Sequence, residues 1–216
     1  MKRQSEANAR YFLSLKAIIV MGIILSVIVV TTSASEEKNH FETITKKDDT
    51  RINKDSTESV EAFMQVYKVL MSPRCMNCHP SGDRPLQGED NHVHIMNVQR
   101  GKDGKGLYAL KCSNCHQPTN VTGIHTPPGN PKWQLPPADM KMVFQGKSAH
   151  ELAVQIMDYN RNGHKNKEKL LEHARDTLVK AAWNMGEGRP APPLDYAAFL
   201  KAWDTWIEKG GYAPKL

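Results

Sequence analysis

The chain has 216 residues, enough for one or two compact domains, which excludes a large multidomain enzyme. Hydrophobic residues make up 39% and aromatic residues 7% of the sequence, a low share for a chain that must fill an apolar interior with its own side chains. Of 29 basic and 23 acidic residues, four basic and one acidic lie in residues 1–34. The rest carries only a small basic excess, so no nucleic-acid partner is expected.

Residues 1–34 have the order of an export signal. Basic residues precede an apolar run over 17–30, and small residues follow it at 31–35. Two interpretations stay open: a signal peptide that is cleaved after Ala34 or Ser35, and an uncleaved membrane anchor, which needs about 20 apolar residues. Both deliver the rest of the chain outside the cytoplasm. We therefore expect a periplasmic protein that is either soluble or tethered to the inner membrane by this segment.

The next two regions differ in composition. Residues 35–55 are rich in charged and polar residues and predict a disordered linker. Residues 56–216 carry apolar residues at helical spacing, without the period-two alternation that indicates a strand. This region is expected to form one domain.

Start and stop signals define the expected elements of that domain. Long loops are expected over 80–106, which is rich in glycine, and over 117–137, which is rich in proline. The predicted helices cover 56–71, a short stretch from Leu107 to Leu110, 148–158, about 166–183, and a last segment that is capped by Asp195 and places Trp203 and Trp206 in the core.

All four cysteines lie in two copies of the pentapeptide Cys-x-x-Cys-His, which begin 37 residues apart. Two thiols at this spacing lie on adjacent edges of one helical turn. Both can add to the vinyl groups of one haem, and the following histidine then points at the iron. A covalently bound haem would also supply apolar interior that the composition lacks. The sequence therefore predicts two haems c, attached by Cys75, Cys78, Cys112 and Cys115, with His79 and His116 as proximal iron ligands.

Paired cysteines have two other common uses in proteins, zinc binding and dithiol redox chemistry. Two Cys-x-x-Cys pairs can form a zinc ribbon, in which the pairs are typically about 15–20 residues apart. One pair can also act as a redox dithiol. Neither use requires a histidine after the second cysteine, and both copies have one. Haem attachment is therefore the favoured interpretation.

The region 104–210 resembles a class I cytochrome c. The resemblance rests on Gly104, Leu107 and Tyr108 before the second motif, a proline-rich loop, a downstream methionine and an aromatic carboxy-terminal helix. The region 56–216 also resembles the dihaem cytochrome subunits that accompany molybdenum hydroxylases of the isoquinoline 1-oxidoreductase type, through the strings at 84–88, 96–101 and 136–142. These resemblances imply an all-α, cytochrome c-like fold with short helices and long loops around two covalently bound haems.

A six-coordinate haem iron needs a second histidine or methionine. The class I resemblance implies a methionine after the proline-rich loop, which selects Met142 for the second haem, with Met140 as the next choice. For the first haem, His94 is favoured over His92 because apolar residues flank it. His125 and His173 stay open as alternatives for either haem.

The expected function is that of an exported dihaem c-type cytochrome. It would carry single electrons from a partner oxidoreductase or dehydrogenase to a respiratory acceptor, and the second resemblance suggests a molybdenum hydroxylase as the partner. No nucleotide-binding glycine loop or hydrolase motif is visible in the sequence, so the chain is not expected to be an enzyme. The alternative is a peroxidase-like dihaem enzyme, which requires one haem iron with an open coordination position.

Overall fold

Helices form most of the regular structure in the computed structural model, which describes residues 51–216. The predicted export segment, 1–34, and most of the predicted linker, 35–55, lie outside the described residues, but residues 51–55 are helical, which corrects both the end of the linker and the predicted helix start at 56. Residues Lys54–Leu216 form one compact unit. Within the described residues, no helix combines the length and the apolar character needed to cross a bilayer.

The described residues contain six α-helices, three of them short. Ser148 caps α3 with a capping box that includes Glu151, and Asp195 caps α6 through the backbone N–H of Ala198, which confirms both predicted helix starts. The bounds are residues 51–70 for α1, Pro73–Met76 for α2, Ala149–Met157 for α3, Lys167–His173 for α4, Thr177–Lys180 for α5 and Tyr196–Glu208 for α6.

The expected helix over 166–183 is broken into α4, α5 and a 3-10 turn, Ala181–Trp183. Asp176 causes the break. Its side chain accepts a hydrogen bond from the backbone N–H of Leu178 at 2.8 Å, which caps the start of α5. As the N-cap residue of α5, Asp176 has an extended backbone, with ψ at 143°, so the helix cannot continue through it.

Two antiparallel hairpins correct the expectation that the domain has no strands. Strand β1 (Leu86–Gln87) pairs with β2 (His92–Val93), with Leu86 opposite Val93. Strand β3 (Gly106–Leu107) pairs with β4 (Leu110–Lys111), where the sequence predicted a short helix. Gly106 has a φ of 90° and packs against the carbonyl of Leu110, so closely that a Cβ would collide with it. Tyr108, inside the segment predicted as a helix, has a φ of 51°, which a right-handed helix cannot accommodate, so the chain turns back instead.

The hydrophobic core lies where α1, α3, α4 and α6 meet. Phe63 of α1 contacts Trp206 of α6, with ring centres 4.5 Å apart. Trp203 and Trp206 are both buried, as predicted. Because α2 begins three residues after α1 ends, the first Cys-x-x-Cys-His motif starts at the edge of this core, and Cys75 packs against it.

Candidate haem sites

The first motif begins in α2 and continues through the turn that follows it. Pro73 occupies the start of α2, where its missing N–H costs nothing. The backbone N–H of Cys78 donates to the carbonyl of Cys75 at 3.2 Å, which keeps the two thiols on one turn. Burial raises the pKa of Cys75 to about 12 and that of Cys78 to about 11. Both side chains are therefore neutral thiols at pH 7.

The imidazole of His79 is held on two sides. Nδ1 lies 2.7 Å from the carbonyl oxygen of Met142, and the ring stacks on Phe144 with centres 3.8 Å apart and planes inclined by 8°. A carbonyl oxygen only accepts, so Nδ1 carries the proton and Nε2 keeps its lone pair. Burial lowers the pKa of His79 to about 4, so the ring is neutral at pH 7. A neutral imidazole with an available Nε2 has the form that can bind a metal ion.

The second motif begins on a 3-10 turn, Cys112–Asn114, directly after β4. The backbone N–H groups of Cys115 and His116 both donate to the carbonyl of Cys112, at 3.2 and 2.9 Å. Burial raises the pKa of Cys112, whereas the side chain of Cys115 is exposed. The thiols are again three positions apart on one turn, but this turn is tighter and closer to solvent.

His116 repeats the arrangement of His79. Its Nδ1 lies 2.8 Å from the carbonyl oxygen of Pro128, and its ring stacks on Trp133 with centres 4.2 Å apart and planes inclined by 10°. Burial lowers the pKa of His116 as well. Among the described residues, no hydrogen bond engages Nε2 of His79 or His116. Both motif histidines therefore present the same ring nitrogen.

The two motifs lie close to each other. Burial is the largest cause of the raised pKa of Cys78, and the nearby Cys112 is the second. The two motifs are therefore close enough to influence each other electrostatically. The guanidinium groups of Arg74 and Arg100 act on Cys78 in the opposite direction. The charged residues that act on Cys112 are different ones, Asp103 and Lys111.

The structure places two predicted distal ligands differently from the sequence analysis. Met142, expected beside His116, lies beside His79: its carbonyl accepts from His79, and its side chain packs against the hydrophobic core. This happens because the chain after Met142 folds onto the first motif, where the N–H of Phe144 donates to the carbonyl of His79 at 3.0 Å. His94, expected beside His79, lies instead near His116, with ring centres 6.5 Å apart.

The other candidate ligands are scattered. His173, at the end of α4, is close enough to His79 to lower its pKa further, after the larger effect of burial. His92 is exposed, with Nδ1 2.6 Å from the carboxylate of Asp90. His125 is also exposed, with a φ of 59°. Met140 ends a 3-10 turn, Ala138–Met140.

Buried guanidinium groups provide a test of whether these sites suit a haem. A haem carries two propionate carboxylates besides its apolar ring. The buried Nε atoms of Arg74 and Arg84 have no hydrogen-bond partner among the described residues. Arg74, whose side chain is almost fully buried, has Glu89 as its one ion-pair partner in that part of the chain. Paired thiols, a neutral imidazole and unsatisfied cationic donors fit the chemical groups of haem c.

The sequence analysis missed the residues that hold the two motif histidines. Phe144 and Trp133 stack on the imidazoles, and the carbonyls of Met142 and Pro128 accept from them. A backbone carbonyl leaves no sequence signal. Trp133, in the segment after the second motif, is a signal that could have been used, whereas Phe144 lies beyond both motifs and offers no such signal for the first.

Comparison of the chain with protein-family models, with curated proteins and with solved structures gave no match.

Proposed function

We propose that this chain is a dihaem c-type cytochrome that transfers single electrons. The observation that carries the proposal is the repeated histidine arrangement. In each Cys-x-x-Cys-His motif, Nδ1 of the histidine is bound to a backbone carbonyl and the ring is stacked on an aromatic side chain. Metal-binding histidines characteristically donate their other ring N–H in this way. The two motifs reach this arrangement with different residues, Met142 and Phe144 at the first and Pro128 and Trp133 at the second, which favours a common purpose.

Each residue of the motifs has a proposed role. Cys75 and Cys78 form thioether bonds to one haem, and Cys112 and Cys115 to the other. His79 and His116 bind the iron through Nε2. When bound, the haem supplies reversible one-electron reduction of iron between the ferric and ferrous states. The protein orients the imidazoles through the carbonyls of Met142 and Pro128, and the guanidinium groups of Arg74 and Arg84 would be available to the propionates.

Electron transfer is favoured over peroxidase-like catalysis by the neighbours of the motif histidines. A peroxidase-like site needs one iron with an open coordination position. The ring of His94 lies 6.5 Å from that of His116, and His173 is close enough to His79 to lower the pKa of its imidazole. Six-coordinate, low-spin iron at both sites is the expected outcome, and it suits a carrier rather than an enzyme.

The setting of the carrier is also proposed. The basic and apolar pattern of residues 1–34 supports export to the periplasm, as a soluble or a tethered protein. A cytochrome c-like arrangement of the helices, a donor such as a molybdenum hydroxylase and a respiratory acceptor are consistent with the sequence resemblances. Mixing the purified chain with such a donor and its substrate should reduce the haem iron.

The proposal is tested by removing each attachment site in turn. The full chain is produced in a host that exports proteins and attaches haem c. We expect two haems per chain, each reduced reversibly by one electron, and negligible consumption of hydrogen peroxide. The double variants Cys75→Ser with Cys78→Ser, and Cys112→Ser with Cys115→Ser, should each keep one haem. Ser113→Ala, inside the second motif, is the control and should keep both. A wild-type chain without haem, or rapid peroxide turnover, would contradict the proposal.

A further inference from the structure

The separation of His94 and His116 suits a metal ion between them. Their ring centres are 6.5 Å apart and their planes are inclined by 58°. A metal–imidazole bond is about 2 Å long and the bonded nitrogen lies about 1 Å from the ring centre, so two imidazoles on opposite sides of one ion have centres about 6 Å apart. Rings in direct contact are much closer, as the 3.8 Å between His79 and Phe144 illustrates.

The ring of His94 has the hydrogen bond that a ligand requires. Its Nδ1 lies 2.7 Å from the carbonyl oxygen of Ile95, so Nδ1 carries the proton and Nε2 keeps its lone pair. His79 and His116 have the same arrangement. His92, two residues earlier, differs: its Nδ1 contacts the carboxylate of Asp90 in the exposed turn between β1 and β2.

The backbone around His94 is fixed from both sides. Its N–H donates to the carbonyl of Pro85 at 2.9 Å, which extends the β1–β2 pairing by one step. The guanidinium of Arg84 donates to the carbonyl of His94 at 3.0 Å. Shortly after, Met96 has a φ of 65°, a left-handed conformation that is unusual for a methionine and persists only where surrounding contacts impose it. These contacts fix the backbone at His94, and the hydrogen bond to the carbonyl of Ile95 orients its ring.

We infer that His94 is the second axial ligand of the iron that His116 binds, so that the loop after the first motif completes the second haem site. The inference rests on the proposed function, because it requires a haem at the second motif. It makes the second haem a bis-histidine centre, with a lower reduction potential than a histidine–methionine haem. It also ties the two motifs together, since neither segment alone provides both ligands.

The test uses the full chain with both haems attached. In oxidised His94→Ala we expect half of the haem iron to change from low spin to high spin, measured by absorption and electron paramagnetic resonance. Added imidazole should restore the low-spin state. His94→Met should stay low spin, gain a long-wavelength methionine–iron band and show a raised potential at one haem. His92→Ala is the matched control from the same hairpin and should leave both haems as in the wild type.

The outcomes separate the inference from the proposed function. If His94→Ala and His94→Met keep the spin state and both potentials of the wild type, His94 is not a ligand, although the haems are still bound. If the wild-type chain contains no haem, the proposed function and the inference both fail. If His94→Ala does not accumulate, His94→Met decides: a new methionine–iron band supports the inference, and an unchanged spectrum overturns it.

Discussion

The two Cys-x-x-Cys-His motifs hold their histidines in the same way but on different supports. The first motif starts on a helix at the edge of the core, and Cys75 and Met142 pack against that core. The second follows the β3–β4 hairpin, whose strands have two residues each. Among the described residues, no member of the hydrophobic core cluster lies between 104 and 133. Hydrophobic packing stabilises the first site, whereas turns and close backbone contacts stabilise the second.

This difference has a consequence for how each site responds to change. A loss of packing at the first motif is expected to reach α1, α3 and α6, because these helices share its core. A distortion at the second motif is expected to remain in the loops around it. Substitutions that act on one support should therefore separate the two sites.

The largest contrast is expected between the two stacking residues. Phe144, only 6% exposed, contacts both the core and His79, so Phe144→Ala should lower the free energy of unfolding by about 3–5 kcal/mol. Trp133 is half-buried and lies outside the core cluster. Trp133→Ala should therefore lower the free energy of unfolding less than Phe144→Ala does, while it still changes the spectrum of the second haem. Denaturant unfolding followed by absorption measures both. An equal loss in the free energy of unfolding for the two variants would mean that the same packing stabilises both sites.

A smaller, local effect is expected at Gly129. A Cβ there would collide with the backbone of Thr119, and the neighbouring carbonyl, that of Pro128, accepts the hydrogen bond from His116. Gly129→Ala should cost about 1–3 kcal/mol and shift the spectrum of the second haem alone. Gly82→Ala is the control, because a Cβ at Gly82 meets no described atom within 4 Å. A shift at both haems would contradict the separate supports.

The smallest effect is a pH dependence at the start of α3. Hydrogen bonds from Ser148 and the charge of Lys147 lower the pKa of Glu151 from 4.5 to about 2. A lowered pKa stabilises the folded state above pH 4.5, and that contribution is lost as the pH falls towards 2. Thermal unfolding of Glu151→Gln should depend less on pH in this window than that of the wild type, and the spectrum of the second haem should not change. An identical pH dependence would contradict the capping role.

Local patterns account for the part of the fold that the sequence predicted. Ser148 and Asp195 each act on the residue three positions later, so the helix starts at these caps could be predicted from the sequence. The hairpin at 106–111 was not, because it depends on the backbone conformation of Gly106 rather than on a hydrophobic pattern. The break at Asp176 was missed because the helical periodicity continues on both sides of it.

The residues of the candidate sites also divide into those that the sequence predicted and those that it did not. The attachment cysteines and motif histidines are contiguous in the sequence and follow from one pentapeptide. The partners of those histidines come from distant segments, and their position depends on how loops cross. Apolar neighbours selected His94 over His92, but they could not indicate that the β1–β2 hairpin brings it to His116 rather than to His79.

The central claim is that each motif carries a covalently attached haem. The most direct measurement is mass spectrometry of proteolytic peptides from the exported, matured chain. The account predicts that the peptide with Cys75 and Cys78 and the peptide with Cys112 and Cys115 are each heavier by one haem and absorb visible light. Peptides with the mass of the bare polypeptide, from a colourless protein, would contradict it.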